Sequence, residues 1–182
     1  TATGNIVIGK SAFTTADAGE DYNIVIGQDA GTAINDGATE YNILIGADAG
    51  TGGEAALIGC IAIGGNAMNS TATNAQTGTI AIGHDALTAL TTGAGNVAVG
   101  YTALDELATG NNNTALGYQA LHQIDAAEAD NTAVGYAAGA SLDGGGQNVL
   151  IGSGANASSA GGANQTVLGY GATGQADHSV TL

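Results

Sequence analysis

A glycine returns about every eighteenth residue along the chain, at Gly9, Gly27, Gly46, Gly64, Gly83, Gly100, Gly117, Gly135, Gly152 and Gly169. Each stands in the same short setting, of which Asn113-Thr114-Ala115-Leu116-Gly117-Tyr118-Gln119-Ala120-Leu121 is the clearest copy. The steps between copies are 18, 19, 18, 19, 17, 17, 18, 17 and 17 residues. A period held over a whole chain marks a stack of similar units, each burying its apolar surface against its neighbours. Residues 1–182 are therefore read as one solenoid domain without internal boundaries.

Counting from the glycine identifies the local structure of each unit. The third residue before it is β-branched in all ten copies: Ile6, Ile24, Ile43, Ile61, Ile80, Val97, Thr114, Thr132, Val149 and Thr166. The residue just before it is Ile, Val or Leu throughout. Apolar and β-branched residues at alternating positions predict a short strand. The residue between them points to the opposite face and is also never polar, running from Val7 and Val25 to Leu150 and Val167. A strand apolar on both faces needs cover on both. One face packs inside its own coil, and self-association is the simplest cover for the other.

Four residues before the glycine stands asparagine in seven copies: Asn5, Asn23, Asn42, Asn96, Asn113, Asn131 and Asn148. Stacking would bring these amides into a column that hydrogen-bonds along the axis; alternatively, asparagine only opens each strand after a turn. The glycine is predicted to occupy a corner that needs positive φ or close backbone approach. Three residues later comes an invariably small residue, from Ala12 and Ala30 to Ala155 and Ala172, suited to a tight inward corner. Seven residues past the glycine, Ile34, Leu90, Leu107, Ile124 and Leu142 suggest a further inward contact. The second half of each unit varies in length and belongs at the surface. In the middle coils, Leu104–Ala108 and Leu121–Glu128 have the composition for one helical turn. Leu57-Ile58-Gly59 competes in register with Cys60-Ile61-Ala62-Ile63-Gly64, and Gly64 is preferred because it keeps the spacing.

The fold class that follows is all-β: a parallel β-solenoid or β-roll of about ten 17–19-residue coils. Intertwining or packing with further copies is expected, with short helical turns in the middle coils. With strands about 4.8 Å apart, ten coils make a rod about 48 Å long. The chain begins just before one repeat and stops inside another at Ser179–Leu182, so a fragment of a longer fibre is expected.

Charge narrows the partners. Charged residues make up 9% of the chain, the net charge is −15, and Lys10 is the only basic residue. Nucleic acid and anionic membrane surfaces need a positive patch that this chain lacks, and no segment has the roughly 18 apolar residues of a membrane-spanning helix. At 44% apolar residues, the chain is also too hydrophobic for disorder. Cys60 is the lone cysteine and is read as a small buried residue in place of asparagine.

Candidate site residues are few. The acids avoid the strands; Asp29, Asp48 and Asp85 fall two past the glycine, and Asp17, Glu54, Asp125, Asp143 and Asp177 eight past. Asp125 and Asp143 lie in neighbouring coils, where they would repel or share a cation; solvated turn carboxylates are the preferred reading. His84, His122 and His178 are too scattered for a metal cluster, and the calcium-loop patterns are missing. No cofactor, metal or catalytic residue is assigned. Without a G-x-S-x-G elbow, an enzyme is not expected. Tyr101, Tyr118, Tyr136 and Tyr170 share the column just after the glycine. They would cover the outside of the coil, or form an aromatic ladder that stacks on sugar rings.

Asn96-Val-Ala-Val-Gly-Tyr-Thr-Ala-Leu104, Asn113-Thr-Ala-Leu-Gly-Tyr-Gln-Ala-Leu121 and Asn131-Thr-Ala-Val-Gly-Tyr-Ala-Ala138 resemble the N-T-A-[LVI]-G-Y-x-A-L repeats of bacteriophage, particularly cyanophage, tail fibres. Asn5-Ile-Val-Ile-Gly-Lys-Ser-Ala12 and Asn23-Ile-Val-Ile-Gly-Gln-Asp-Ala30 are also similar to the head repeats of trimeric autotransporter adhesins, whose period is nearer 14. Both resemblances imply an elongated homotrimer. The first implies a virion tail fibre, with other fibre or baseplate proteins and a host cell-surface polysaccharide as partners. The alternative is a bacterial cell-surface adhesin or extracellular filament subunit.

Overall fold

The computed structural model describes residues 3–14, 19–32, 38–52, 56–70, 75–125 and 127–182. Its main element is an eleven-stranded parallel sheet, stacked in sequence order apart from two short strands that lie elsewhere. The strands are β1 (Ile6–Ile8), β2 (Ile24–Ile26), β3 (Ile43–Ile45), β5 (Ile61–Ile63), β7 (Ile80–Ile82), β8 (Val97–Val99), β9 (Thr114–Leu116), β10 (Thr132–Val134), β11 (Val149–Ile151), β12 (Thr166–Leu168) and β13 (Val180–Thr181). Equivalent positions pair at every step, as in Thr114↔Thr132, Ala115↔Ala133 and Leu116↔Val134. The fold is the parallel β-solenoid that the period predicts.

β5 takes the register that ends at Gly64, so the preferred spacing holds. The competing segment is also a strand: β4 (Leu57–Ile58) pairs in parallel with β6 (Gln76–Thr77), and bridges Asp21↔Glu40 and Glu40↔Ile58 extend that second column.

From β2 to β12 of the main sheet the middle residue points inward, with Val25, Leu44, Ala62, Ala81, Ala98, Ala115, Ala133, Leu150 and Val167 all fully buried, whereas Val7 in the end strand β1 is 43% exposed. The alanine column from Ala30 to Ala155 is buried as well, and its members close turns onto the glycine carbonyl, as in Ala120 N–H to Gly117 C=O at 3.3 Å. Leu90, Leu107, Ile124 and Leu142 add the expected third inward contact; Ile34 lies outside the described residues. Each large buried side chain contributes about 1.5–3 kcal/mol by leaving water.

Core volume is exchanged between two positions of the coil. Where the inward strand residue is alanine (Ala81, Ala98, Ala115), the residue four past the glycine is Leu87, Leu104 or Leu121, all buried. Where it is Val25 or Leu44, that position is Gly31 or Gly50. A Cβ on Gly50 would come 2.8 Å from Leu44 Cδ2. Gly139 pairs with the small Ala133, and there Leu121 and Leu150 of the adjoining coils fill the space.

No helix forms among the described residues, which corrects the expectation of helical turns at Leu104–Ala108 and Leu121–Glu128. Leu104 and Leu121 have φ of 54° and 51°, outside the right-handed helical region. Their amides also point along the rod: Leu104 N–H donates to Ala120 C=O (3.1 Å) and Leu121 N–H to Ala138 C=O (2.9 Å). Coil-to-coil bonding takes the donors that a helix would need.

Candidate functional site

The residues singled out above form four columns on the rod, and register alone brings each column together. The asparagine column is a buried ladder from Asn23 onward. Asn131 Oδ1 accepts from the backbone N–H and the amide of Asn148, both at 3.0 Å, and Asn131 Nδ2 donates to Gly145 C=O (3.0 Å) and Asn113 Oδ1 (3.2 Å). Asn42 bonds Asn23 in the same way, and Asn113 bonds Asn96. Each side chain thus joins two coils and closes a turn. The amide-ladder reading holds over the strand-opening one.

Two coils break the ladder. Cys60 takes the place of asparagine: its N–H donates to Asn42 Oδ1 (2.8 Å) and its thiol lies 3.5 Å from Gln76 C=O. In the next coil the buried Thr79 hydroxyl has no hydrogen-bond partner. Burial pushes the Cys60 thiol up, since desolvation outweighs the backbone hydrogen bonds near Thr79, Ile58 and Gly78. An acid with a raised folded value stays protonated while the unfolded chain ionises. The stability is therefore intact below the ordinary thiol range and falls as pH rises through it. A thiol-exchange reagent is expected to react with Cys60 only as fast as the chain opens. A Cys60→Ser variant is expected to lose part of the stability decline above about pH 8.5, read as Tm against pH.

The second column follows the glycine and carries the aromatic residues. Tyr101 and Tyr118 stack with centroids 5.3 Å apart, and Tyr118 and Tyr136 at 5.2 Å. His84 continues the ladder at 5.7 Å from Tyr101. Tyr170 does not join it, because Ser153 occupies the intervening rung. The interior rings face one another, so their stacking faces are already in use. Tyr22 and Tyr41 form a further stack, 5.3 Å apart and nearly parallel at 4°. Sequence reasoning missed this pair, although both residues directly precede the asparagine of their coils.

The acids occupy the remaining two columns, eight and two past the glycine. Asp125 and Asp143 are both exposed, and among the described residues no group of three or more His, Cys, Asp or Glu side chains is placed to hold a metal ion. Asp17 and Glu54 lie outside the described residues. Asp177 accepts from Ala163 N–H (2.9 Å) and Gln165 Nε2 (3.2 Å), and the backbone donor above all holds its carboxyl below the usual value. Asp29, Asp48 and Asp85, two past the glycine, have φ of 54–57°. Aspartate tolerates that left-handed conformation, which accounts for its placement there. Asp85 also bridges two coils, 2.6 Å from His84 Nδ1 and 2.9 Å from Asn66 Nδ2.

One polar cluster escaped the sequence reading. His122 Nδ1 lies 2.5 Å from Asp105 Oδ1, and its Nε2 3.8 Å from Glu106 Oε1. Asp105 and His122 both sit five past their glycines, in adjacent coils, so column counting would have found them.

The strand faces that point away from the core are the remaining feature. Ile6 and Ile8 are 51% and 59% exposed, and Leu116, Ile151 and Leu168 are also exposed. No acid lies in any strand of the main sheet. No enclosed pocket exists among the described residues. Comparison of the chain with protein-family models, with curated proteins and with solved structures found no match.

Proposed function

We propose that this chain is a structural shaft segment of a phage tail fibre, assembled as a homotrimer on the virion. Its other partners are neighbouring fibre or baseplate proteins, and its surface loops contact host cell-surface polysaccharide. It performs no catalysis. The reading is supported above all by the outward apolar ladder, which runs unbroken by charge along the main sheet. Ten strand faces about 4.8 Å apart and about 10 Å wide amount to roughly 500 Å² of uncharged surface, apolar except for Thr114, Thr132 and Thr166. That is near the upper end of the largest patch a single soluble chain exposes, a size that is often functional. Chains with a net charge of −15 repel at long range, so a face free of acids is where copies can meet. The fold is compatible with a fibre, and the repeat resemblance supplies the virion setting.

Native mass measurement at micromolar concentration tests the assembly. A trimer is expected, and a monomer would end the proposal. An Ile45→Asp variant places a carboxylate on the outward face between coils that stay intact. It is expected to shift the mass to monomer while the β-sheet circular dichroism is retained, since a buried unpaired charge costs far more than the apolar contact it replaces.

A further inference from the structure

We propose that the gap in the tyrosine column at Ser153 is a binding slot for an uncharged pyranose ring. The column is continuous in backbone: Gly154 N–H donates to Tyr136 C=O (2.8 Å) and Gly171 N–H to Ser153 C=O (2.9 Å), so Tyr136, Ser153 and Tyr170 are successive rungs. Only the middle rung lacks a ring.

The spacing suits one inserted ring. Filled rungs lie 5.2 Å apart at Tyr118–Tyr136, so the vacancy leaves about 10 Å, twice that step, between Tyr136 and the level of Tyr170. A ring placed midway lies about 5 Å from each, within the stacking range of roughly 4.5–7 Å. Tyr136 has one face against Tyr118 and the other toward the gap, and it is 59% exposed, against 43% for the enclosed Tyr118. Tyr170 is 90% exposed and stacks on no ring among the described residues. The free faces of the ladder are therefore concentrated at this gap.

The chemistry favours a sugar over an aromatic ring. The hydroxyls of Tyr136, Ser153 and Tyr170 make no hydrogen bond to a described residue. Two apolar ring faces with three free hydroxyls match a pyranose, which has C–H faces and a rim of hydroxyls. The slot has no cation beside it, because the chain's single basic residue, Lys10, lies in the first coil. An anionic sugar would be repelled by the net charge of −15. The slot is built by one chain, so it stands or falls independently of the trimer.

Saturation-transfer NMR on the full chain, with millimolar methyl glycosides of glucose, galactose, mannose and N-acetylglucosamine, tests the slot. Transfer to the ring protons of at least one glycoside is expected. Ser153→Tyr fills the vacant rung and is expected to cut the transfer about five- to tenfold, the loss of one stacking face or more. Tyr170→Ala, at a position too exposed to hold the stack together, is expected to cut it similarly and serves if the first variant misfolds. Absence of transfer to all four glycosides overturns the proposal. So does transfer that survives both variants, or binding of phenol in the slot without any glycoside.

Discussion

A Gly117→Ala chain is expected to lose at least about 4 kcal/mol of stability, enough to unfold the rod locally or completely. Gly117 has φ of 145°, a region in which only glycine is comfortable. The added Cβ would also overlap the carbonyl oxygen of Gly135 and lie 2.6 Å from its carbonyl carbon. The obstructing atoms are backbone of the next coil, itself fixed at 2.8 Å by the hydrogen bond from Gly135 N–H to Leu116 C=O. Neither side can yield without breaking the ladder. Thermal unfolding followed by circular dichroism measures the loss, and amide exchange locates it. A Tm within a few degrees of the parent would show that the coils separate at low cost and that the glycine corner is not a steric necessity.

The second large effect is expected at Asn131→Ala. The substitution removes four hydrogen bonds at once and leaves Asn148 N–H and Gly145 C=O buried without their partner. Unsatisfied buried backbone groups cost about 1–3 kcal/mol each, so a total near 3 kcal/mol is expected after local relaxation. The control is a solvent-exposed residue of the same coil, such as Gln147→Ala, which is expected to change little. Equal effects at the two positions, read by urea unfolding, would show that asparagine merely opens the strand.

These two positions also indicate how much the sequence could convey. The period, strand positions and inward alanines were legible because each repeats in nearly every coil, and repetition in sequence becomes a column in space. The asparagine ladder was legible only as one of two readings, since a residue at a turn has the same local preference whether or not its neighbour stacks on it. Helical turns were expected at Leu104 and Leu121 from local composition. Tertiary structure overrode that preference by sending the backbone donors to the adjoining coil. The outward face was foreseen as needing cover, because both strand faces are apolar. Tyr22–Tyr41 and His122–Asp105 occur in single pairs, so they do not stand out as repeats and show only when each position is counted from its glycine. The vacancy at Ser153 gains meaning only beside the filled rungs.

The exchange of core volume between Leu44 and Gly50, and between Ala115 and Leu121, bears on how such a rod changes length in inheritance. Recombination between repeats of one gene duplicates or deletes whole coils, and the product survives only if the new neighbours interlock. The coils carrying Ala81–Leu87, Ala98–Leu104 and Ala115–Leu121 share one core pattern, so gain or loss of one among them preserves every buried contact type. A junction that joins Leu44 to a leucine in place of Gly50, or that sets such a leucine in place of Gly31 below Leu44, crowds two large side chains into one space, since a Cβ at Gly50 or Gly31 already comes 2.8 or 3.2 Å from Leu44. The middle of the rod is thus the segment free to lengthen, while the coils near Gly31 and Gly50 are inherited as a block.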